Sequence, residues 1–420
     1  MRFKRGVWGF VITLVLCSTL NAYSVDDIEP NRLVVKLKSS TLGVKSSSTK
    51  LQDLNNQFGI KQSHAVKISS KIKSKGLSVS SASDETVYVL ETAEGTSIAE
   101  LEAYYNEQNW IEYAEPVYKV NLYGVNDSEY SSQAYLQQST LNDLLNWPIN
   151  NDVTVAVIDT GIDYFHSELA DKIVTNLLDI PDNNIDDDGN GYIDDTYGYN
   201  FYGLSNGSAS IGAFDHHGHG THIAGIIAAD SNDTSGMAGI NSSVKIVNVS
   251  FLSEYGTGNQ IDAALAIRYA VDNGAQLINC SWGYKYSNTV LDDAIDYAIA
   301  NDVLVLAATG NDGSSSKDYP AALPGVISVG SVGNDLDLSY FSNYGSYIDF
   351  VTYGESIYSL APNEGYAFMS GTSQSTAIMT GVASRILSRY GAMEPEVLSE
   401  ILELSASDLG EDGYDSRFGN

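Results

Sequence analysis

From Asn150 onward the chain alternates two hydrophobic patterns. Val153–Ile158, Val244–Val249, Leu277–Cys280, Val303–Ala308 and Val326–Val329 are short and almost continuously apolar. Runs of that kind suit strands buried on both faces rather than strands with one wet face. Between them, at about 220–229, 259–273, 289–301 and 374–390, apolar residues fall at helical spacing. The alternation predicts an α/β fold, a mostly parallel sheet flanked by helices on both faces. Sites in such sheets form beyond the carboxyl ends of the strands. The residues that follow each run are therefore where chemistry is expected.

The first third of the chain has a different pattern. Arg32–Lys38 alternates through Leu33, Val35 and Leu37, as a half-buried strand does. Thr49–Phe58 places Leu51, Leu54 and Phe58 on one helical face. Thr86–Leu90 reads as a second strand, Thr96–Asn106 as a second helix capped by Thr96, and Val117–Leu122 as a closing strand. Together they predict a small α/β sandwich over residues 25–123, separate from the unit at 124–420. Ser39–Ser83 is rich in Ser and Lys. Gly124–Gln138, polar and rich in Tyr, Ser and Gln, reads as a linker.

The extreme N-terminus changes the picture again. Arg2, Lys4 and Arg5 precede an apolar run from Gly6 to about Leu16. That is the pattern of a secretory signal over residues 1–24, too short to span a bilayer. Secretion is expected, with cleavage after Ala22 or Ser24. No other stretch is long and apolar enough for a stable membrane span.

The net charge of −31 is unevenly spread. Residues 25–125 carry 11 basic and 13 acidic groups, whereas 126–420 carry 8 and 40. Such a surface repels nucleic acid and anionic membranes, so neither is expected as a partner. Two readings of the acidity stay open: the solvated surface of an ordinary secreted enzyme, or an enzyme that needs salt to relieve self-repulsion. Of the two cysteines, Cys17 lies in the apolar run. Its removal leaves Cys280 alone, and no intrachain disulfide can form.

Three segments at the ends of the predicted elements carry polar residues suited to catalysis. Val155–Ile158 runs into Asp159-Thr-Gly161. Taken alone, such an Asp is most simply a turn or cap residue. In His216-His-Gly-His219-Gly-Thr-His222 a glycine-flanked His opens a helix of small residues. The spacing of His219 and His222 is not that of a zinc helix, and the Glu such a helix places between its histidines is missing. In Met369-Ser-Gly-Thr-Ser373 a Gly precedes a Ser at a helix start, where backbone N–H groups are free and the dipole favours negative charge. A single Ser there is ordinarily a cap. An Asp, a His and a Ser together are more: a serine nucleophile needs a base, and the base needs a carboxylate that fixes its tautomer.

These three segments closely resemble the signature blocks of the subtilase family: Asp-Thr-Gly, His-Gly-Thr-His and Gly-Thr-Ser in that order, which is also the chain order of subtilisin. The resemblance implies a secreted serine endopeptidase that works through an acyl-enzyme. Ser373 would be the nucleophile, His219 the general base and acid, and Asp159 the orienting carboxylate. By the same resemblance Asn311, in Leu306-Ala-Ala-Thr-Gly-Asn311, donates its amide to the oxyanion. Ser281, Trp282 and Gly283 would line the substrate cleft, where a protein or peptide binds as an added strand. Tyr113-Ala-Glu-Pro-Val-Tyr118 resembles the end of subtilase propeptides. Residues 25–123 would then be a folding and inhibitory propeptide, removed by self-cleavage between about Asn121 and Ser139.

Two departures and one added feature qualify the resemblance. Gln374-Ser375-Thr376-Ala377 replaces the family's Met-Ala-x-Pro and puts polar side chains under the site. Family members usually continue for a short strand beyond the point reached at Asn420, so a truncated domain or further domains are expected. Asn184, Asp186, Asp188, Asn190 and Asp195 fall at the spacing of a calcium loop with Gly189 at its sixth position, and structural Ca2+ is expected there. Asp318, before Tyr319-Pro320, has two placements: facing solvent, or at the bottom of the primary specificity pocket, where it would favour a substrate Lys or Arg. A non-catalytic peptide binder is opposed by the complete set of catalytic residue types. A glycosidase would need a marked carboxylate pair, which the sequence lacks.

Overall fold

A computed structural model describes residues 28–38, 44–68, 85–93, 95–118, 125–207 and 212–419. The segment 1–24 expected to be a signal, and residues 121–124 of the expected cleavage region 121–139, lie outside those residues. The chain forms two compact units, Met1–Leu122 and Tyr123–Asn420.

In the first unit, strands β1 (Ile28–Leu37), β2 (Gln62–Ile68), β3 (Glu85–Glu91) and β4 (Ile111–Tyr118) form an antiparallel sheet in the order β2-β3-β1-β4. Helices α1 (Val44–Gln57) and α2 (Ile98–Asn106) contribute to its core. Leu33, Val35 and Leu90 of the sheet meet Leu51, Leu54, Ile98, Leu101 and Tyr105 of the helices. The Tyr105 hydroxyl is fully buried and donates to Asn55 Oδ1 at 2.9 Å. The cap of α2 is Ser97, one residue later than the pattern predicts.

Two other differences from the pattern have physical causes. β2 pairs only with β3, and its exposed Gln62, Ser63 and His64 carry no apolar alternation. β4 begins at Ile111 rather than near Val117. Leu37 pairs with Ile111 while Lys36 pairs with Tyr113, so a bulge at Glu112 breaks the period of two.

The second unit opens with α3 (Ser139–Leu145), then runs β5 (Val153–Asp159), β6 (Tyr199–Asn200), α4 (His219–Ala228), β7 (Val244–Ser250), α5 (Gln260–Asp272), β8 (Leu277–Cys280), α6 (Thr289–Ala300) and β9 (Leu304–Ala308). It continues through β10 (Val326–Val332), β11 (Phe350–Tyr353), the hairpin β12 (Ile357–Ala361) and β13 (Gly365–Met369), α7 (Thr372–Tyr390) and α8 (Pro395–Ser405). Seven strands make one parallel sheet in the order β11-β10-β9-β8-β5-β7-β6.

Alternate residues of each central strand enter opposite layers, as the two-residue period requires. Val155, Val157, Ile246 and Leu306 pack with α4 and α7. Ala156, Ile158, Val247 and Val305 pack with α5 and α6. This is why the runs are so largely apolar; the buried polar residues among them, Asn248 and Asn279, are held by hydrogen bonds, and each buried aliphatic side chain is worth roughly 1.5–3 kcal/mol.

The segment read as a linker is part of this unit. Gln133, Tyr135 and Leu136 are buried. The Gln133 amide grips the backbone of Ala238, donating to its carbonyl at 2.7 Å and accepting from its N–H at 2.9 Å. A polar side chain satisfied in this way leaves no hydrophobic trace in the sequence.

Candidate active site

Asp159 is the last residue of β5 and His219 the first of α4. The two elements approach closely because glycine stands at the contact. A Cβ on Gly220 would overlap the Gly161 carbonyl, and Gly161 itself has φ +102°. His219 Nδ1 reaches Asp159 Oδ1 at 2.7 Å. The carboxylate is fully buried; Oδ1 also accepts from the Thr160 N–H at 2.8 Å, and Oδ2 has no partner.

Burial works against a charged His219 ring. The charge and hydrogen bond of Asp159, followed by the charge of Asp215, outweigh it and hold the imidazole above its usual value. Asp215 is a buried brace that the sequence did not reveal. Its Oδ1 accepts from Thr160 Oγ1, His217 N and Gly218 N at 3.0, 2.9 and 2.8 Å. Its Oδ2 accepts from Thr221 N and Oγ1 at 2.9 and 2.7 Å. The Asp159 turn and the His219 helix are thereby tied through one carboxylate.

Ser373 is the second residue of α7, a position whose N–H has no intrahelical acceptor. Its Oγ donates to the Ser281 carbonyl at 2.9 Å, while Ser281 Oγ donates to the Ser373 carbonyl at the same distance. The hydroxyl therefore rests on Ser281 and must turn to meet His219; catalytic hydrogen bonds are often loose before substrate arrives. Beneath it, Thr380 Oγ1 donates to Asn279 Oδ1 at 2.9 Å and Asn279 Nδ2 donates to Ser281 Oγ at 2.8 Å. That relay joins β8 to α7.

Asn311 follows β9. Its Oδ1 accepts from Thr372 N at 2.9 Å and Thr372 Oγ1 at 3.0 Å. These two bonds to Thr372, the residue before Ser373, set the amide orientation. Ser281, Trp282 and Gly283 leave the end of β8 in sequence. Trp282 Nε1 donates to the Ile158 carbonyl at 2.9 Å, and its ring meets Phe251 at 4.7 Å between centroids. With Phe251, Leu252, Gly258 and Ala263, Trp282 and Gly283 line a cavity of about 360 Å³. Cys280 is fully buried, and burial, then the charge of Asp159, pushes its thiol well above the usual range. It is no nucleophile.

His222 is packed inside α4 with Nε2 against the carbonyls of Ile357 and Ala367 at 3.1 and 3.2 Å. Burial, then His219, pushes it down to about 4, so the ring is neutral. His216 and His217 are exposed. The polar departures after Ser373 are accommodated. Ser375 Oγ donates to the carbonyls of Thr352 and Tyr353, each at 3.2 Å, and Gln374 is buried with its amide nitrogen 4.0 Å from the Met369 sulfur.

The acidic loop brings together only part of its expected ligand set. Asn176 Nδ2 bridges Asp188 Oδ2 and Asp195 Oδ1 at 2.9 and 2.6 Å, and Asn190 Nδ2 bridges Asp188 Oδ2 and Asp195 Oδ2 at 3.3 and 3.1 Å. Asp186 instead accepts from the N–H groups of Gly189, Asn190 and Gly191. Asn184 donates its N–H to Asp194 Oδ2. Among the described residues no three His, Cys, Asp or Glu side chains stand together as a ready metal cage. Of Asn176, Asp188, Asn190 and Asp195, the two carboxylates supply oxygens suited to a hard cation, while the Asn176 and Asn190 oxygens accept from Leu178 N and Tyr192 N and would have to turn inward to join them.

A second acidic locus had no sequence signature. Glu168 is buried and its Oε2 has no partner. Burial, then the charges of Asp233, Asp230, Asp127 and Glu364, pushes its carboxyl up to about 8. An orphaned buried carboxylate oxygen among further carboxylates also fits a hard cation. Asp318, finally, is 6 % exposed and does not face solvent.

Comparison with known proteins agrees with this geometry. Residues 150–420 match the subtilase family. The thermophilic serine proteinase of Bacillus sp. strain AK1 is 34 % identical over 318 residues, covering 75 % of this chain and 72 % of the relative. The cell wall-associated protease of Bacillus subtilis strain 168 is 31 % identical over 403 residues, covering 92 % of this chain; the chain spans only 41 % of that relative's length. The crystal structure of a cold adapted subtilisin-like serine proteinase superposes with a TM-score of 0.53 at 29 % identity, covering 65 % of this chain and 88 % of the other. The chain belongs to the subtilase family of serine endopeptidases.

Proposed function

We propose that this chain is a secreted, self-processing endopeptidase that cleaves proteins through an acyl-enzyme on Ser373. The 2.7 Å contact between His219 Nδ1 and Asp159 is the observation that carries the reading. With Nδ1 protonated toward the carboxylate, Nε2 is left as the base. It takes the proton from Ser373 Oγ as the oxygen attacks the scissile carbonyl carbon. The carbonyl oxygen becomes an anion and accepts from Asn311 Nδ2 and the Ser373 N–H. His219 then gives its proton to the leaving amine, the C–N bond breaks, and water repeats the sequence to free the acid. In subtilisin, loss of the corresponding Asn donor costs roughly 10²–10³ in turnover.

The substrate lies extended along Ser281, Trp282 and Gly283, adding a strand to the segment after β8. Residues 1–24 act as the signal and 25–123 as the propeptide, which assists folding and inhibits the cleft until cleaved. Asn176, Asp188, Asn190 and Asp195, and separately the Glu168 locus, would hold calcium. There it would neutralise crowded carboxylates and stabilise the fold.

Labelling with a serine-directed fluorophosphonate tests the reading. One adduct is expected on the peptide containing Ser373, with parallel loss of peptide hydrolysis. Stoichiometric labelling elsewhere, or full hydrolysis after labelling, contradicts it.

A further inference from the structure

The segments after β8 and β9 both meet the turn that carries Ser373. Ser281 exchanges hydrogen bonds with Ser373, while the Gly310 N–H donates to Thr372 Oγ1 at 3.2 Å and Asn311 grips Thr372. On the peptidase reading above, a peptide carbonyl held between Asn311 and Ser373 would turn its own side chain toward the notch between these segments. The walls of the notch are glycine. A Cβ on Gly283 would stand 3.3 Å from Asp318 Cβ and 3.8 Å from the Ala308 carbonyl, and one on Gly310 would overlap Asp318 Oδ2. Asp318 therefore lies buried against both glycines. Lys285 reaches in from the rim, half exposed, with Nζ 2.6 Å from Asp318 Oδ1 and a second contact to Asp312, beside Asn311.

We propose that Lys285 determines the specificity of this notch, as a built-in counter-ion that occupies Asp318 and turns the pocket from cationic toward neutral side chains. The proposal rests on the peptidase reading above and names the substrate class of that site. A bare buried carboxylate would select Lys or Arg by a charge-assisted hydrogen bond. Here that bond is already made. An incoming cation exchanges one ammonium for another on Asp318 and gains little, whereas a neutral side chain enters a pocket whose charge is compensated. Against burial, the two carboxylates hold Lys285 above its usual range, while burial outweighs Lys285 and holds Asp318 above its own usual range; the 2.6 Å contact between them is what ties the lysine to this site. Only 8 basic residues accompany 40 acidic ones after residue 125, yet one of them is committed to this carboxylate.

Matched peptides with Leu, Phe, Lys or Arg before the cleaved bond test the proposal through kcat/KM, normalised to active-site titre. Wild type should prefer Leu and Phe. Lys285→Met keeps the stem and removes the charge, and should raise the Arg/Leu ratio roughly ten- to a hundredfold, the worth of a hydrogen bond to a charged group. Lys285→Met with Asp318→Asn should lose that gain. Asp312→Asn leaves Lys285 to Asp318 alone and should lower the ratio below wild type. An Arg/Leu ratio unchanged within about twofold in Lys285→Met, or a wild type that already prefers Arg, overturns the role of Lys285 while leaving the peptidase reading intact. Failure of wild type to cleave any peptide overturns both.

Discussion

Replacing Asp159 with Asn keeps the shape of the triad and removes its charge. The structure says what either orientation of the new amide meets. If its oxygen stays at the Oδ1 position, it still accepts from Thr160 N and His219 Nδ1, but the NH2 then sits where Oδ2 is buried without a partner. An unsatisfied buried donor costs about 1–3 kcal/mol, and the imidazolium formed during reaction has lost its counter-charge. If the amide turns over, its NH2 faces the Thr160 N–H and donates to His219 Nδ1. The proton moves to Nε2, and His219 cannot accept from Ser373. Either outcome raises the barrier; the equivalent change in another serine-peptidase triad costs about 10⁴ in turnover, or about 5.5 kcal/mol. The assay is kcat/KM against pH for a P1-Leu peptide. Because Asp159 raises the His219 pKa, activity in wild type should rise as pH climbs through an elevated midpoint and the base becomes neutral. In Asp159→Asn the plateau should fall about 10³–10⁴-fold and the midpoint should move to lower pH. A loss under tenfold, or an unmoved midpoint, would refute the assigned role of Asp159.

Other consequences are equally direct. Asp215→Asn turns one of two fully occupied acceptor oxygens into a donor facing N–H groups, so thermal unfolding should report a loss of about 1–3 kcal/mol. The same variant should move the acid limb of the kcat/KM profile to lower pH, because Asp215 also raises His219. In chelated protein Glu168, raised from its usual 4.5 to about 8, contributes stability that is present below about pH 4.5 and lost as pH rises through about 8. Glu168→Gln should flatten that fall in Tm, by about 1–3 kcal/mol after screening, and weaken the rise in Tm that calcium restores; an unchanged calcium response places the ion elsewhere. With 40 acidic and 8 basic groups after residue 125, the Tm of the mature unit should rise as NaCl is increased from about 0.05 to about 0.5 M, and a flat series contradicts self-repulsion.

The parallel sheet was legible because β5, β7, β8 and β9 are buried on both sides over most of their length, leaving few polar residues in the runs. The segments around Asp159, His219, Asn311 and Ser373 stood out for a related reason: each lies at or just past a strand end or at a helix start, near glycine. What escaped notice depends on contacts between distant parts of the chain. Gln133 looked like linker composition because its amide is satisfied by Ala238. β2 is an edge strand with an exposed polar face, and β4 is displaced by its bulge. The polar stretch around Asp318 suggested an exposed loop; the carboxylate is buried because Lys285, 33 positions earlier, supplies its counter-ion. Asp215 and Glu168 are spaced by no periodicity at all. Their importance comes from the five donors gathered on one and the absent partner of the other.

Self-cleavage of the precursor is the sharpest test of Ser373 as the proposed nucleophile. Purified precursor should be followed beside Ser373→Ala in calcium, by gel and mass spectrometry. Wild type alone should release a fragment beginning between about residues 122 and 139, while Ser373→Ala remains full length. Identical processing of both proteins, or none in a wild type that is folded and calcium-loaded, would contradict it.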